Sequence, residues 1–208
     1  YDIGHIVTDL TLKTKCKGKP DGVIYLSLKK GGTTTMSNLG MKKIFPQDEL
    51  SSGKITNRNG LKVIETFGLD NQRVCKIFNE ALAGKVESGG NVSNPRFNRT
   101  LLQSMIRGSI GYGYHYTHLQ RGGKIKSFPM TKAKCDAATN ITNVTVHYGG
   151  KTGTGQRIDI TVKTPMMELK FNIRDTSGSS LPWPDKLQSA YKFNDELLFS
   201  TSEEGYDE

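Results

Sequence analysis

Three residues near the start of the chain have the types and spacing for phosphodiester chemistry: Asp9, Ser27 and Lys29. Ser27 and Lys29 belong to the run Gly22-Val23-Ile24-Tyr25-Leu26-Ser27-Leu28-Lys29-Lys30. Ile24, Leu26 and Leu28 alternate there with Tyr25, Ser27 and Lys29, and a period of two predicts a strand with one apolar and one chemical face. Residues 6–14 alternate in the same way, with Leu10 and Leu12 on one side and Asp9, Thr11 and Lys13 on the other. Between the runs lies a Lys-rich stretch with Gly18 and Pro20, which reads as a turn. An antiparallel pair of these strands brings Asp9, Ser27 and Lys29 onto one face. A carboxylate can hold Mg²⁺ together with water and phosphate oxygens. A neighbouring lysine can orient the attacking water or stabilise charge on the phosphorus. The plainer alternatives are a solvent-facing Asp at a strand edge and an ordinary exposed strand Lys.

This pattern resembles the PD-(D/E)XK nuclease superfamily. Its restriction-endonuclease-like core carries an Asp on one strand and an acidic-x-Lys on the next. Asp9 takes the place of the first Asp and Lys29 that of the Lys. Ser27 stands where the second acidic residue belongs, which is a departure. The wording around Tyr25-Leu26-Ser27-Leu28-Lys29, with Gly31-Gly32 and later Phe171-Asn172-Ile173-Arg174, is similar to such proteins carried by tailed bacteriophages. The resemblance implies a metal-dependent DNA endonuclease with Asp9, Ser27 and Lys29 in the catalytic site. Asp9 would be the metal ligand for Mg²⁺ (or Mn²⁺), and DNA the partner. It places the protein in the host-cell cytoplasm or the virion of a bacteriophage. The family's core usually opens with a helix carrying a Glu that completes the metal site. Only eight residues precede Asp9, so that helix is absent, truncated or replaced, and Asp2 and Glu65 are the nearest further carboxylates by sequence.

The alternative is a protein of the same fold that has lost catalysis and serves as a nucleic-acid-binding or virion structural protein. Ser27 and the missing Glu helix favour it, and a chain that starts at Tyr1 without an initiator methionine fits a processed virion component.

The 208 residues suffice for one domain, and their net charge of +9 favours a polyanionic partner. The reading divides the domain into a nuclease-like part over 1–108, a strand-rich extension over 109–199 and an acidic tail over 200–208. It leaves room for a homodimer. The three cysteines, Cys16, Cys75 and Cys135, are scattered without metal-ligand spacing, and a sparse, odd count suits a reducing compartment. No apolar run approaches the length that spans a bilayer, so no membrane partner is expected.

The remaining elements predict an α+β fold, and the resemblance implies that its restriction-endonuclease-like core has a mixed central sheet flanked by helices. Ser37 or Asn38 caps a short helix through Ile44-Phe45, stopped by Pro46. Residues 47–60 read as a loop. Asp70 caps a helix from about Asn71 to Ala83, and Asn98 opens another through Ile106. Residues 84–98 are the best internal linker. Strands follow at 110–119 and 124–130. A hairpin joins 144–148 to 157–164, another strand runs from Glu168 to Arg174, and residues 185–199 form an amphipathic segment.

In Gly111-Tyr112-Gly113-Tyr114-His115-Tyr116-Thr117-His118 the two histidines fall on opposite strand faces, which argues against joint metal ligation. The aromatics suit a sheet core, or alternatively a platform on which bases stack. Lys30, Arg107, Arg121 and Lys124 are the proposed nucleic-acid contacts, and Arg174 is a further candidate at a strand end. Lys151-Thr152-Gly153-Thr154-Gly155 lacks the order of a phosphate loop and reads as a hairpin turn.

Overall fold

A computed structural model describes residues 2–15, 17–30, 34–82, 90–119, 122–149, 157–175 and 183–194, and among these described residues ten strands and six helices build an α+β fold from two sheets. The first sheet has the order β1-β2-β5-β6, formed by Leu10–Thr14, Gly22–Lys30, Tyr114–Leu119 and Ile125–Met130. β1 and β2 are antiparallel, β2 and β5 parallel, and β5 and β6 antiparallel. The second sheet has the order β3-β10-β9-β8-β7-β4 and is antiparallel throughout. Its strands are β3 (Thr34–Gly40), β4 (Asn91–Ser93), β7 (Asn143–Tyr148), β8 (Arg157–Lys163), β9 (Met167–Arg174) and β10 (Lys186–Phe193).

A division at residue 108 does not follow these sheets. β5 and β6 complete the sheet that β1 and β2 begin, while β3 and β4 pair into the other. Continuous hydrogen bonding groups the strands, and it ignores proximity along the chain. The acidic tail over 200–208 and the turn at 151–155 lie outside the described residues.

The larger sheet buries one face. Val144, Val146, Ile158, Ile160, Val162, Leu169, Phe171 and Ile173 alternate inward along β7, β8 and β9. Against it lie α3 (Arg58–Phe67), α4 (Asn71–Leu82) and α5 (Arg99–Ile110). Phe67 of α3 meets Phe171 of β9 with ring centroids 5.0 Å apart. The Tyr148 hydroxyl accepts the Asp70 amide at 2.8 Å, and Arg73 lies over its ring at 4.5 Å. Asp70 and Asn98 cap as their types predict: their Oδ1 atoms accept the Arg73 and Leu101 amides at 2.8 and 3.0 Å.

Three segments depart from the expectation. The helix expected from Ser37 or Asn38 through Ile44-Phe45 does not form: residues 34–40 are strand β3, because β10 supplies a partner for their backbone, with Leu39 opposite Leu187. The span 47–60 holds α2 (Gln47–Ser52) and the start of α3. The amphipathic segment near 185 is β10. Two further helices were not anticipated: α1 (Gly4–Val7), whose end takes Ile6 and Val7 out of the strand expected over 6–14 so that β1 starts only at Leu10, and α6 (Lys132–Ala138), capped by the Thr131 hydroxyl, which accepts the Lys134 amide at 3.2 Å.

Glu49 ties α2 to α3. Its Oε2 accepts the Thr56 amide at 2.6 Å, the Asn57 amide at 3.1 Å and the Asn57 side-chain amide at 3.0 Å. These bonds, the Thr56 amide foremost, hold its carboxyl below the usual range. A depressed folded value contributes stability above the ordinary carboxylate range, lost as pH falls through the depressed value. Glu49→Gln should therefore melt below the wild type at neutral pH. Thermal melts at falling pH should show the two curves converging.

Candidate functional site

The face of β2 that turns inward is the chemical one. The parallel register sets Ser27 opposite Tyr116, and β6 sets Phe128 opposite Tyr116. Tyr116 and Phe128 stack with centroids 5.2 Å apart, and Tyr116 meets Phe193 of β10 edge-on at 4.9 Å. This aromatic cluster joins the two sheets, and it takes Ser27 into the interior with it: Ser27 is 3 % exposed. Ser27 therefore shares a face with Lys29 but packs in the core, out of reach of a macromolecular substrate. Tyr114 and Tyr116 are buried too, which makes them core residues and not a base-stacking platform. Burial pushes the Tyr114 phenol well above its ordinary range, and its hydroxyl donates to the Ile110 carbonyl at 2.9 Å.

Asp9 sits at the mouth of the β1–β2 ladder. Just before it, the short helix α1 (Gly4–Val7) packs against the start of β5. That contact requires glycine at position 4, since a Cβ there would run into the Gly113 carbonyl. The Asp9 amide donates to the Leu26 carbonyl at 2.8 Å, and Oδ2 accepts the Leu28 amide at 2.7 Å. The carboxylate thus stands in for the backbone acceptor that β2 lacks once the ladder ends. The same Oδ2 lies 3.9 Å from Lys29 Nζ. The Asp9 side chain is 49 % exposed and that of Lys29 27 % exposed.

Pairing extends this site beyond the three residues. Lys29 lies opposite His118 on β5, and His118 opposite Lys126 on β6. Two lysines and a histidine form a row across three strands, at the edge of the face where Asp9 stands. Sequence reasoning missed this row, because it depends on the parallel pairing of residues near 29 with residues near 118. His115 and His118 do fall on opposite faces, His115 facing outward beside Leu26.

The other candidates scatter. Arg107 Nε donates to Thr139 Oγ1 at 3.0 Å and lies 3.5 Å from Asp136, so it fastens α5 to α6. Lys30 and Lys124 are exposed at the ends of β2 and β6. Arg121 and Cys16 lie outside the described residues. Arg174 ends β9 between Arg157 and Lys186, on the outer face of the other sheet, and donates to Gln188 at 2.6 Å. Asp2 bridges to Tyr112 and accepts the Gly4 amide at 3.3 Å, while Glu65 accepts from Asn98 at 2.6 Å. Among the described residues no three His, Cys, Asp or Glu side chains form a group that could hold a metal ion. Asp9 offers one remaining carboxylate oxygen, and a cation ligated there needs substrate phosphate and water for the rest of its shell.

Cys75 and Cys135 are buried thiols, raised by that burial. Among the described residues no helix is long and apolar enough to cross a membrane. No family model matches the chain, and comparison with curated proteins and with solved structures finds no match to it.

Proposed function

We propose that this protein binds nucleic acid, and that the row Lys29–His118–Lys126 holds the sugar–phosphate backbone. The observation that carries this reading is the row itself: adjacent strands present basic side chains in register at the rim of one face. A phosphate chain is a periodic anion, and lysines bind it as point charges while releasing its counterions. The net charge of +9 favours the same class of partner. Fluorescence anisotropy of labelled duplex and single-stranded oligonucleotides tests it. Binding should weaken steeply as salt rises, by about 0.9 log units per log of salt for each phosphate neutralised on a duplex. Salt-independent binding, or none at low salt, removes nucleic acid as the partner.

A second reading, metal-dependent DNA cleavage, is favoured by the contact between Asp9 and Lys29. Mg²⁺ or Mn²⁺, when bound, supplies an acidified water and neutralises phosphate charge. Asp9 would hold such an ion through its remaining oxygen, and Lys29 would hold a phosphate oxygen beside it. Ser27 takes no part in this chemistry, because it is buried. Incubation with supercoiled plasmid and either ion is the test. The expected result under this reading is nicking that Asp9→Ala abolishes while binding persists. Absence of nicking, or nicking by Asp9→Ala at the wild-type rate, leaves the binding function alone.

A further inference from the structure

The apolar side of the first sheet faces outward. Leu10 and Leu12 of β1, Leu28 of β2, Leu119 of β5 and Ile125 of β6 share it by register. They are 46, 40, 46, 38 and 68 % exposed. Between Leu28, Thr117, Leu119 and Ile125 lies a hollow of about 290 Å³, with Lys29 and Lys30 also in its wall. Lys30, His115, Thr117 and Ser127 lie on the same face by register. Scattered exposed leucines are ordinary, but several grouped around a hollow on one sheet face mark a site of interaction.

We propose that this face docks an amphipathic helix with acidic flanks, supplied by a partner protein. Size selects the occupant. Four strands at about 4.8 Å spacing and five residues at about 3.3 Å rise give a face of roughly 300 Å². A stable dimer buries about 800 Å² per subunit, so a second copy of this face is too small a partner. A helix of about 12 residues is roughly 18 Å long and 10 Å wide, and covers more than half of the face. Charge selects the flanks. Lys30 projects on this side, Lys15, Lys17 and Lys19 are exposed around the β1–β2 turn, and Lys124 precedes Ile125. An apolar stripe at helical spacing fills the hollow, and glutamates beside the stripe meet these lysines.

The test uses a synthetic labelled helix of about 14 residues, with leucines at i, i+3, i+4 and i+7 and glutamates flanking them. Anisotropy should show saturable binding that scrambling the leucine stripe removes and that lysine flanks weaken at least about tenfold. Leu28→Asp and Ile125→Asp should each weaken it at least about tenfold. Leu61→Asp, at an exposed position of α3, should leave it unchanged. Circular dichroism confirms that the variants are folded, and Ile125, the most exposed of the five, guards against a folding artefact. Equal binding of the scrambled peptide, or no effect of Ile125→Asp in a folded protein, overturns the proposal. So does a wild-type dimer in sedimentation that Ile125→Asp dissociates, since the face then belongs to a second copy.

Discussion

Phe171→Ala should destabilise the protein by about 3–5 kcal/mol. Phe171 is 1 % exposed in the middle of β9, and its ring lies 5.0 Å from that of Phe67 on α3. The substitution opens a cavity between helix and sheet, and loses an aromatic pair worth about 0.5–1.5 kcal/mol beyond its buried area. Domains of this kind are stable by about 5–15 kcal/mol, so a large share of the margin goes. Urea titration should show a lower midpoint with an unchanged slope. A midpoint equal to the wild type would mean that α3 does not pack on β9 as described.

Joint replacement of Lys29 and Lys126 by Ala should weaken nucleic-acid binding about tenfold to a hundredfold at low salt. The slope of log affinity against log salt should fall by about 2 on a duplex. The two residues flank His118 on the same face, so each removes a phosphate contact without emptying the core. Lys134→Ala is the matched control. Lys134 lies over the Phe128 ring at 5.3 Å, and burial lowers its pKa, so it serves packing more than a ligand. A double variant that binds with the wild-type slope would move the interface elsewhere. The outer face of the other sheet, with Arg157, Arg174 and Lys186 in one row, would then be the next place to look.

How far these sites were legible depends on distance along the chain. Alternation over residues 22–30 correctly placed Tyr25, Ser27 and Lys29 on one face, because period two is a local property of a strand. It did not say which face turns inward. That is decided by Tyr116 and Phe128, whose rings carry their side of the sheet into the core. The helix caps at Asp70 and Asn98 were readable because a cap acts on its own next turn. The helix expected from a cap at Ser37 or Asn38 overlaps the end of β3, which runs over Thr34–Gly40. The partner of β3 begins at Lys186, beyond the reach of any local window. α6 had a local signal in Thr131, three residues before Lys134, and in the Lys132–Asp136 spacing of an i,i+4 pair. The link from Lys29 to His118 had none, since parallel pairing leaves no hairpin turn to announce it, whereas His118 and Lys126 face each other across an antiparallel pair.

The place of β10 between β3 and β9 bears on how the protein is made. β3 leaves the ribosome well before β10 and finds its neighbour only when residues 186–193 have been translated. β2 likewise waits for β5 before its parallel pairing can form. Until then the nascent chain holds two strands whose edges lack their native partners, the kind of edge that invites pairing with another molecule. At about 5–20 residues per second, synthesis of the chain between β3 and β10 takes on the order of ten seconds, longer than pairing itself once the partner strand is available. Ribosome-bound chains stalled after β9 should therefore be digested readily by protease within residues 34–40. Chains long enough to expose β10 should resist, and that step in protection would date the moment at which the second sheet closes.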